Sequence, residues 1–194
     1  MFHVRIHGRG GQGAVSAAAM LSVAAFDEGH HAQAFPTFGS ERTGAPVVAF
    51  CRIDDHPIRT HDPVSAPDAL IIQDPTLLHQ VKLFSGVTPE TYVLVNTSHP
   101  LADLGLDELA GAGSEGRWAA VPATTMAREA LGRPLPNTAL LGAFAALTGV
   151  VGLGGVTGAI RQRFTGSVAE GNVRAATLAF EHVVQATGRS QQHA

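Results

Sequence analysis

A three-layer α/β/α fold built on a mainly parallel sheet is predicted by three observations along this 194-residue chain. Short apolar runs alternate with longer segments suited to helices, the order expected of an α/β domain. Two of the runs, Ala69–Gln73 and Tyr92–Asn96, are apolar almost without interruption, as strands covered on both faces are. A glycine-rich segment, Gly8–Gly13, stands between the first run and the first helical stretch. The length predicts one domain over residues 1–194, and 45% hydrophobic residues provide ample material for its core.

The elements follow in order. Phe2–His7 reads as the first strand. Ala14–Glu28 reads as a helix whose small residues allow close packing on a sheet. His31–Phe38 and Ala45–Ile53 are extended runs on either side of a polar segment, and their pairing would make the sheet mixed through one antiparallel pair. Between the two buried strands, Pro75–Phe84 is compatible with a helix, and Trp118–Val121 reads as the last strand. From Thr124 onward the pattern is helical, broken at Pro134, at Pro136 and at Gly152-Leu153-Gly154-Gly155. The uncharged run Ala139–Ile160 is long enough to span a bilayer. Its six glycines each cost a helix about 1 kcal/mol relative to alanine, so two short buried helices are expected and no membrane span. The tail from about residue 188 is polar and expected to fray.

Charge and cysteine content exclude several functions. Thirteen basic residues stand against 16 acidic ones, a formal charge of −3, and they are scattered. A nucleic-acid binder is therefore not expected. Cys51 is the single cysteine, which excludes a disulfide framework, a cysteine zinc site and a self-contained iron–sulfur cluster. Within Val47–Ile53 it reads as a small buried hydrophobe. None of the ten histidines stands in an H-E-x-x-H pair, no G-x-S-x-G elbow occurs, and no metal site is expected. Met1 leads straight into the first strand with no apolar leader, so a cytoplasmic location is expected.

Gly8, Arg9, Gly10, Gly11, Gln12 and Gly13 match G-x-G-x-x-G, placed after a strand and before a helix. This is a Rossmann-like arrangement, in which glycines allow the backbone to turn tightly and approach a ligand. Free amides at the helix start, with roughly half a positive charge, favour a phosphate or diphosphate. Close strand–helix packing explains the same glycines. A dinucleotide site also needs a carboxylate ending the second strand, and His31–Phe38 contains none. A Walker loop is excluded because the only lysine, Lys82, follows no glycine. Asn96 and Thr97 end a strand, where ligands gather in open α/β sheets; a simple polar switch from strand to loop accounts for them equally.

Three segments together carry a resemblance. They are Gly8–Ala14, the run Gln33-Ala34-Phe35-Pro36-Thr37-Phe38-Gly39-Ser40-Glu41-Arg42-Thr43-Gly44-Ala45-Pro46, and Pro136-Asn137-Thr138-Ala139-Leu140-Leu141-Gly142. From about residue 2 to about residue 182 the chain resembles the gamma subunit of 2-oxoacid:ferredoxin oxidoreductases, most of all the pyruvate and branched-chain types. The beta subunit of indolepyruvate oxidoreductase shares the glycine loop but matches the second segment less well.

The resemblance implies a division of labour. Thiamine diphosphate, Mg²⁺ and iron–sulfur clusters are expected on alpha-, beta- and delta-type partner subunits, with ferredoxin or another acceptor taking the electrons. Coenzyme A takes the acyl group. The gamma subunit would carry no redox centre and no catalytic residue, but would help bind coenzyme A and close over the active site. On this reading Gly8–Gly13 hold the coenzyme A phosphates, with Asn137 and Thr138 adding an amide and a hydroxyl nearby; helix capping by either residue is the competing role. Ser40, Glu41, Arg42 and Thr43 become a subunit contact or active-site rim, or else a solvated loop. A free-standing nucleotide-binding module or NAD-dependent oxidoreductase is the alternative, and a structural subunit whose loop binds nothing is a third.

Overall fold

The six strands are β1 (Phe2–Arg9), β2 (His31–Pro36), β3 (Pro46–Asp54), β4 (Ala69–Ile72), β5 (Tyr92–Asn96) and β6 (Trp118–Val121). In this computed structural model, which describes residues 1–37, 44–79, 82–111 and 113–188, they form one sheet in the order β2-β3-β1-β4-β5-β6. β1, β4, β5 and β6 pair in parallel. β3 is antiparallel to both β1 and β2, so β2 runs in the same sense as β1 and β3 alone is reversed. The sheet is thus mainly parallel and mixed, as expected. Ser40, Glu41, Arg42, Thr43 and the tail beyond residue 188 lie outside the described residues.

The helices are α1 (Ala14–Asp27), the one-turn α2 (Asp107–Ala110), α3 (Ala123–Leu131), α4 (Asn137–Thr148), α5 (Leu153–Arg163) and α6 (Gly166–Thr187). The apolar run Ala139–Ile160 is divided between α4 and α5, and among the described residues no helix is long and apolar enough to cross a membrane. α1 and α3–α6 cover one face of the sheet. Alternation along the strands decides what they meet. Val4 and Ile6 of β1 and Ala49, Cys51 and Ile53 of β3 join the core under the helices. On the opposite face Leu70, Ile72, Val93 and Val95 are covered by Leu77, Leu83 and Leu106 from connecting segments. The second outer layer is therefore made of short turns over the parallel half of the sheet.

Pro75–Phe84 departs from expectation. A 3₁₀ helix covers only Pro75–His79. The carbonyls of Leu83 and Ser85 turn back to accept from the Arg5 guanidinium at 2.6 and 2.8 Å.

Two arginines sit on the loop-covered face without a carboxylate beside them. Arg5, 6% exposed, also donates to the carbonyls of Val64 and Ser65. Arg52, 3% exposed, donates to the carbonyls of Thr60 and Asp62 and lies over the Phe35 ring at 4.9 Å. His7 is buried beside Arg5, and its Nε2 has no hydrogen-bond partner among the described residues. Burial first, then the Arg5 charge, pushes its pKa down to about 4. The unfolded chain, with an ordinary histidine pKa of about 6.5, binds more protons between these two values. Stability from neutral His7 is complete above the higher value and falls as pH drops toward the lower one. Urea unfolding between pH 7 and 4 should show this loss, and His7→Leu should flatten it. An unchanged pH slope in the variant would show that His7 is not the group responsible.

Candidate ligand site at the carboxyl edge of the sheet

The parallel strands all end at one edge, and the polar residues picked out by sequence gather there. β1 runs further than expected, through Arg9, which pairs with Pro46, so Gly8 and Arg9 belong to the strand and the turn proper begins at Gly10. Gly10 donates to Ala45 and Gln12 to Arg9, both backbone to backbone. Gly13, with φ +79°, precedes α1 and provides no side-chain cap, and the first turn of α1 contains no acidic residue. The amides of Gly11, Gly13 and that first turn are the ones left without an acceptor among the described residues.

The loop is stapled to the end of β4. Gln12 Nε2 donates to Asp74 at 2.7 Å while its Oε1 accepts from the Arg9 amide at 2.8 Å. The Arg9 guanidinium meets Asp74 at 3.2 Å, Thr76 Oγ1 at 2.7 Å and the Gly44 carbonyl at 3.0 Å. Its charge is therefore committed within the protein, and the loop presents amides more than a free cation. Burial opposes ionisation of Asp74, but hydrogen bonds from Thr76 and Gln12 and the Arg9 charge outweigh it and hold its carboxyl below the usual range.

Two carboxamides lie beneath this loop. Gln73 is 1% exposed, and among the described residues neither its Oε1 nor its Nε2 has a partner. A Cβ added at Gly8 would come within 2.7 Å of that Oε1, so only glycine leaves room there. Asn137, the first residue of α4, is 7% exposed and its side chain makes no hydrogen bond among the described residues. Its Nδ2 lies 2.6 Å from where a Cβ on Gly13 would stand. The unpartnered buried carboxamide of Gln73 costs about 1–3 kcal/mol, which a hydrogen-bonding group arriving at the loop would offset.

The other expected residues are placed differently. Asn96 spends its carboxamide inside the protein, donating to the Gln73 carbonyl and to Thr124 Oγ1 at 2.7 Å each and accepting from the Thr124 amide. Thr97 Oγ1 accepts from the His99 amide. Thr138 is fully buried and donates to Asn172 Oδ1 at 2.9 Å. Neither Asn137 nor Thr138 caps α4, because Pro136 holds that position and its carbonyl accepts from Leu140. Sequence reasoning missed Gln73, Asp74 and Thr76. The rule that singled out Asn96 and Thr97, polar residues ending a buried parallel strand, applies equally to them.

Among the described residues no group of three or more histidine, cysteine or acidic side chains is placed to hold a metal ion. Cys51 is completely buried and burial pushes its thiol pKa well up, so it offers no thiolate to an iron–sulfur cluster.

Comparison with known proteins agrees with this geometry. The family model for pyruvate ferredoxin/flavodoxin oxidoreductase matches residues 3–182. The gamma subunit common to the pyruvate and ketoisovalerate oxidoreductases of Thermococcus kodakarensis is 47% identical over 184 residues, 95% of this chain and 98% of that one. The crystal structure of pyruvate oxidoreductase subunit PORC from Thermotoga maritima superposes with a TM-score of 0.80 at 36% identity, covering 93% of this chain and 95% of that one. A 2-oxoglutarate:ferredoxin oxidoreductase from Magnetococcus marinus, solved with 2-oxoglutarate, coenzyme A and succinyl-CoA bound, shares the fold at a TM-score of 0.76 and 17% identity. The match covers 98% of this chain but only 32% of that longer one. With a glycine loop at the head of a six-stranded mixed sheet, and with identity and family match running nearly end to end, the chain belongs to the pyruvate ferredoxin/flavodoxin oxidoreductase family as a gamma-type subunit.

Proposed function

We propose that this subunit binds coenzyme A for a multi-subunit 2-oxoacid oxidoreductase and closes over an active site carried by partner chains. On this reading thiamine diphosphate, Mg²⁺ and the iron–sulfur clusters reside on those partners, and for the clusters the one cysteine here, sealed in the core, supports it. Ferredoxin or another acceptor takes the electrons, and coenzyme A takes the acyl group formed from the 2-oxoacid.

The observation that carries the reading is the uncapped start of α1 at Gly13, backed by the buried, unpartnered carboxamide of Gln73 and by the Asn137 side chain beside Gly13. A diphosphate seated there receives the amides of Gly11, Gly13 and the first turn of α1. Gln73 and Asn137 orient it from below, whereas Asn96, Thr97 and Thr138 hold the strand and helix ends in place. Arg9 and Gln12 keep the loop fixed on Asp74, so little ordering is left for the moment of binding. Ser40, Glu41, Arg42 and Thr43 serve as a subunit contact or active-site rim on this reading.

A dinucleotide fits less well. β3 stands between β1 and β2, so the end of β2, where a ribose-gripping carboxylate would be needed, is two strands from the loop. The expected result is that the purified chain alone reduces no viologen dye with any 2-oxoacid, and that turnover appears only on assembly. Gly11→Asp, at a position where an added Cβ meets nothing within 4 Å but φ is +94°, should raise the KM for coenzyme A of the assembled enzyme by about tenfold or more relative to Gly11→Asn, which has the same backbone strain without the charge, through charge repulsion at the helix start. Unchanged coenzyme A kinetics in the folded variant, or robust NAD-dependent dehydrogenase activity from the isolated chain, would reject the proposal.

A further inference from the structure

We infer that a second cleft, beside the glycine loop, holds the adenosine end of the ligand, and that Arg133 there reads a phosphate monoester on the ribose. The inference rests on the coenzyme A reading above and adds a base pocket and a specificity-determining residue to it. The cleft has a volume of about 390 Å³, within the range of small-molecule sites. Leu131, Leu135, Phe164 and Val168 give it apolar walls with one aromatic ring, suited to a planar base. Arg133 and Ser167 stand in the same lining, and neither side chain has a partner among the described residues.

The cleft is continuous with the loop through Asn137. That residue, 7% exposed, lines the cleft and touches Gly13, and its side chain is unbonded among the described residues. The helices around it begin at one edge. Gly13, at the head of α1, lies against Asn137 at the head of α4, and Thr138 bonds Asn172 in the second turn of α6. Four residues further along each helix, Gly142 again meets Ala176, so α4 and α6 run parallel. None of the three helices has a side-chain cap or an acidic residue in its first turn. Their positive ends therefore add along one strip leading from the loop to Ser167. The acidic neighbour on α6, Glu170, is paired with Arg161, and the last-turn carbonyl of Ala130 accepts from Arg174.

A diphosphate at the loop and a monoester at Arg133 are the two anionic groups of an adenosine carrying both. Coenzyme A has this chemistry, and so does NADP⁺, so the experiment separates them. The assembled enzyme is assayed for kcat/KM with coenzyme A and with dephospho-coenzyme A, as wild type and as Arg133→Gln, an exposed position whose change leaves the core intact. A charge-assisted phosphate contact predicts a preference for coenzyme A of about tenfold or more, collapsing to within about twofold in the variant. A wild-type ratio near one or a preference that survives Arg133→Gln overturns the assignment, whereas displacement of coenzyme A by NADP⁺ but not by NAD⁺ that is lost in Arg133→Gln supports it. Gly11→Asp separates this from the underlying reading. A KM that responds at Gly11 while Arg133 is inert removes the cleft alone, whereas no response at Gly11 removes the loop site itself.

Discussion

Gly142→Val is expected to cost about 3 kcal/mol or more, at the upper end of what overpacking a core does. A Cβ at this position would fall on the carbonyl oxygen of Ala176, well inside contact distance, with the Ala176 backbone behind it. The obstacle is helix backbone, which has no rotamer to escape into. Residues Asn137 to Leu147 of α4 are all buried, so the helix has no free side toward which to slide. Parting α4 from α6 would also stretch the Thr138–Asn172 hydrogen bond and move Asn137 away from Gly13. Calorimetry should show a fall in Tm of several degrees or loss of the cooperative transition. Gly158→Ala, where an added Cβ meets nothing within 4 Å, serves as the control. Equal stability of Gly142→Val and wild type would mean that the two helices are not in this close contact.

Arg5→Ala is expected to destabilise by a similar amount, about 3 kcal/mol or more, for an electrostatic reason. The guanidinium binds four carbonyls, from Val64, Ser65, Leu83 and Ser85, and no carboxylate shares the site. Removal leaves those acceptors without their donor beneath the segments that cover β4 and β5. Arg5→Lys should rescue little, because an ammonium cannot reproduce a planar fork spanning two loops. Chemical denaturation measures the loss, and amide exchange at residues 64–66 and 83–87 should rise first as the segments come away from the sheet. Full rescue by lysine would show that charge alone, independent of geometry, is what the site needs.

The alternating pattern made most elements legible, because burial on a sheet or under a helix repeats with a fixed period. Tyr92–Asn96 and Trp118–Val121 begin and end where the apolar runs do, and the glycines between Thr148 and Leu153 mark the break between α4 and α5. The extent of β1 was not legible. Gly8 and Arg9 look like loop, yet Val47 and Pro46 of the reversed strand β3 draw them into the sheet, and such a pairing is written in another part of the chain. Pro75–Phe84 has helical composition, but Arg5, some 70 residues earlier, claims two of the nearby carbonyls.

For the site the division is similar. Local order alone placed a glycine loop between strand and helix and put Asn137 at a helix start, because those features depend on neighbours along the backbone. Whether such groups are available to a ligand depends on contacts between distant segments. Folding spends Asn96 on Thr124, Thr138 on Asn172 and the Arg9 charge on Asp74, while among the described residues it leaves the side chains of Gln73, under the loop, and Asn137, beside Gly13, unbonded. Hydrogen-bond partners and charge compensation are long-range properties of the packed chain, so only the assembled fold could sort the polar residues that face a ligand from those that hold the protein together.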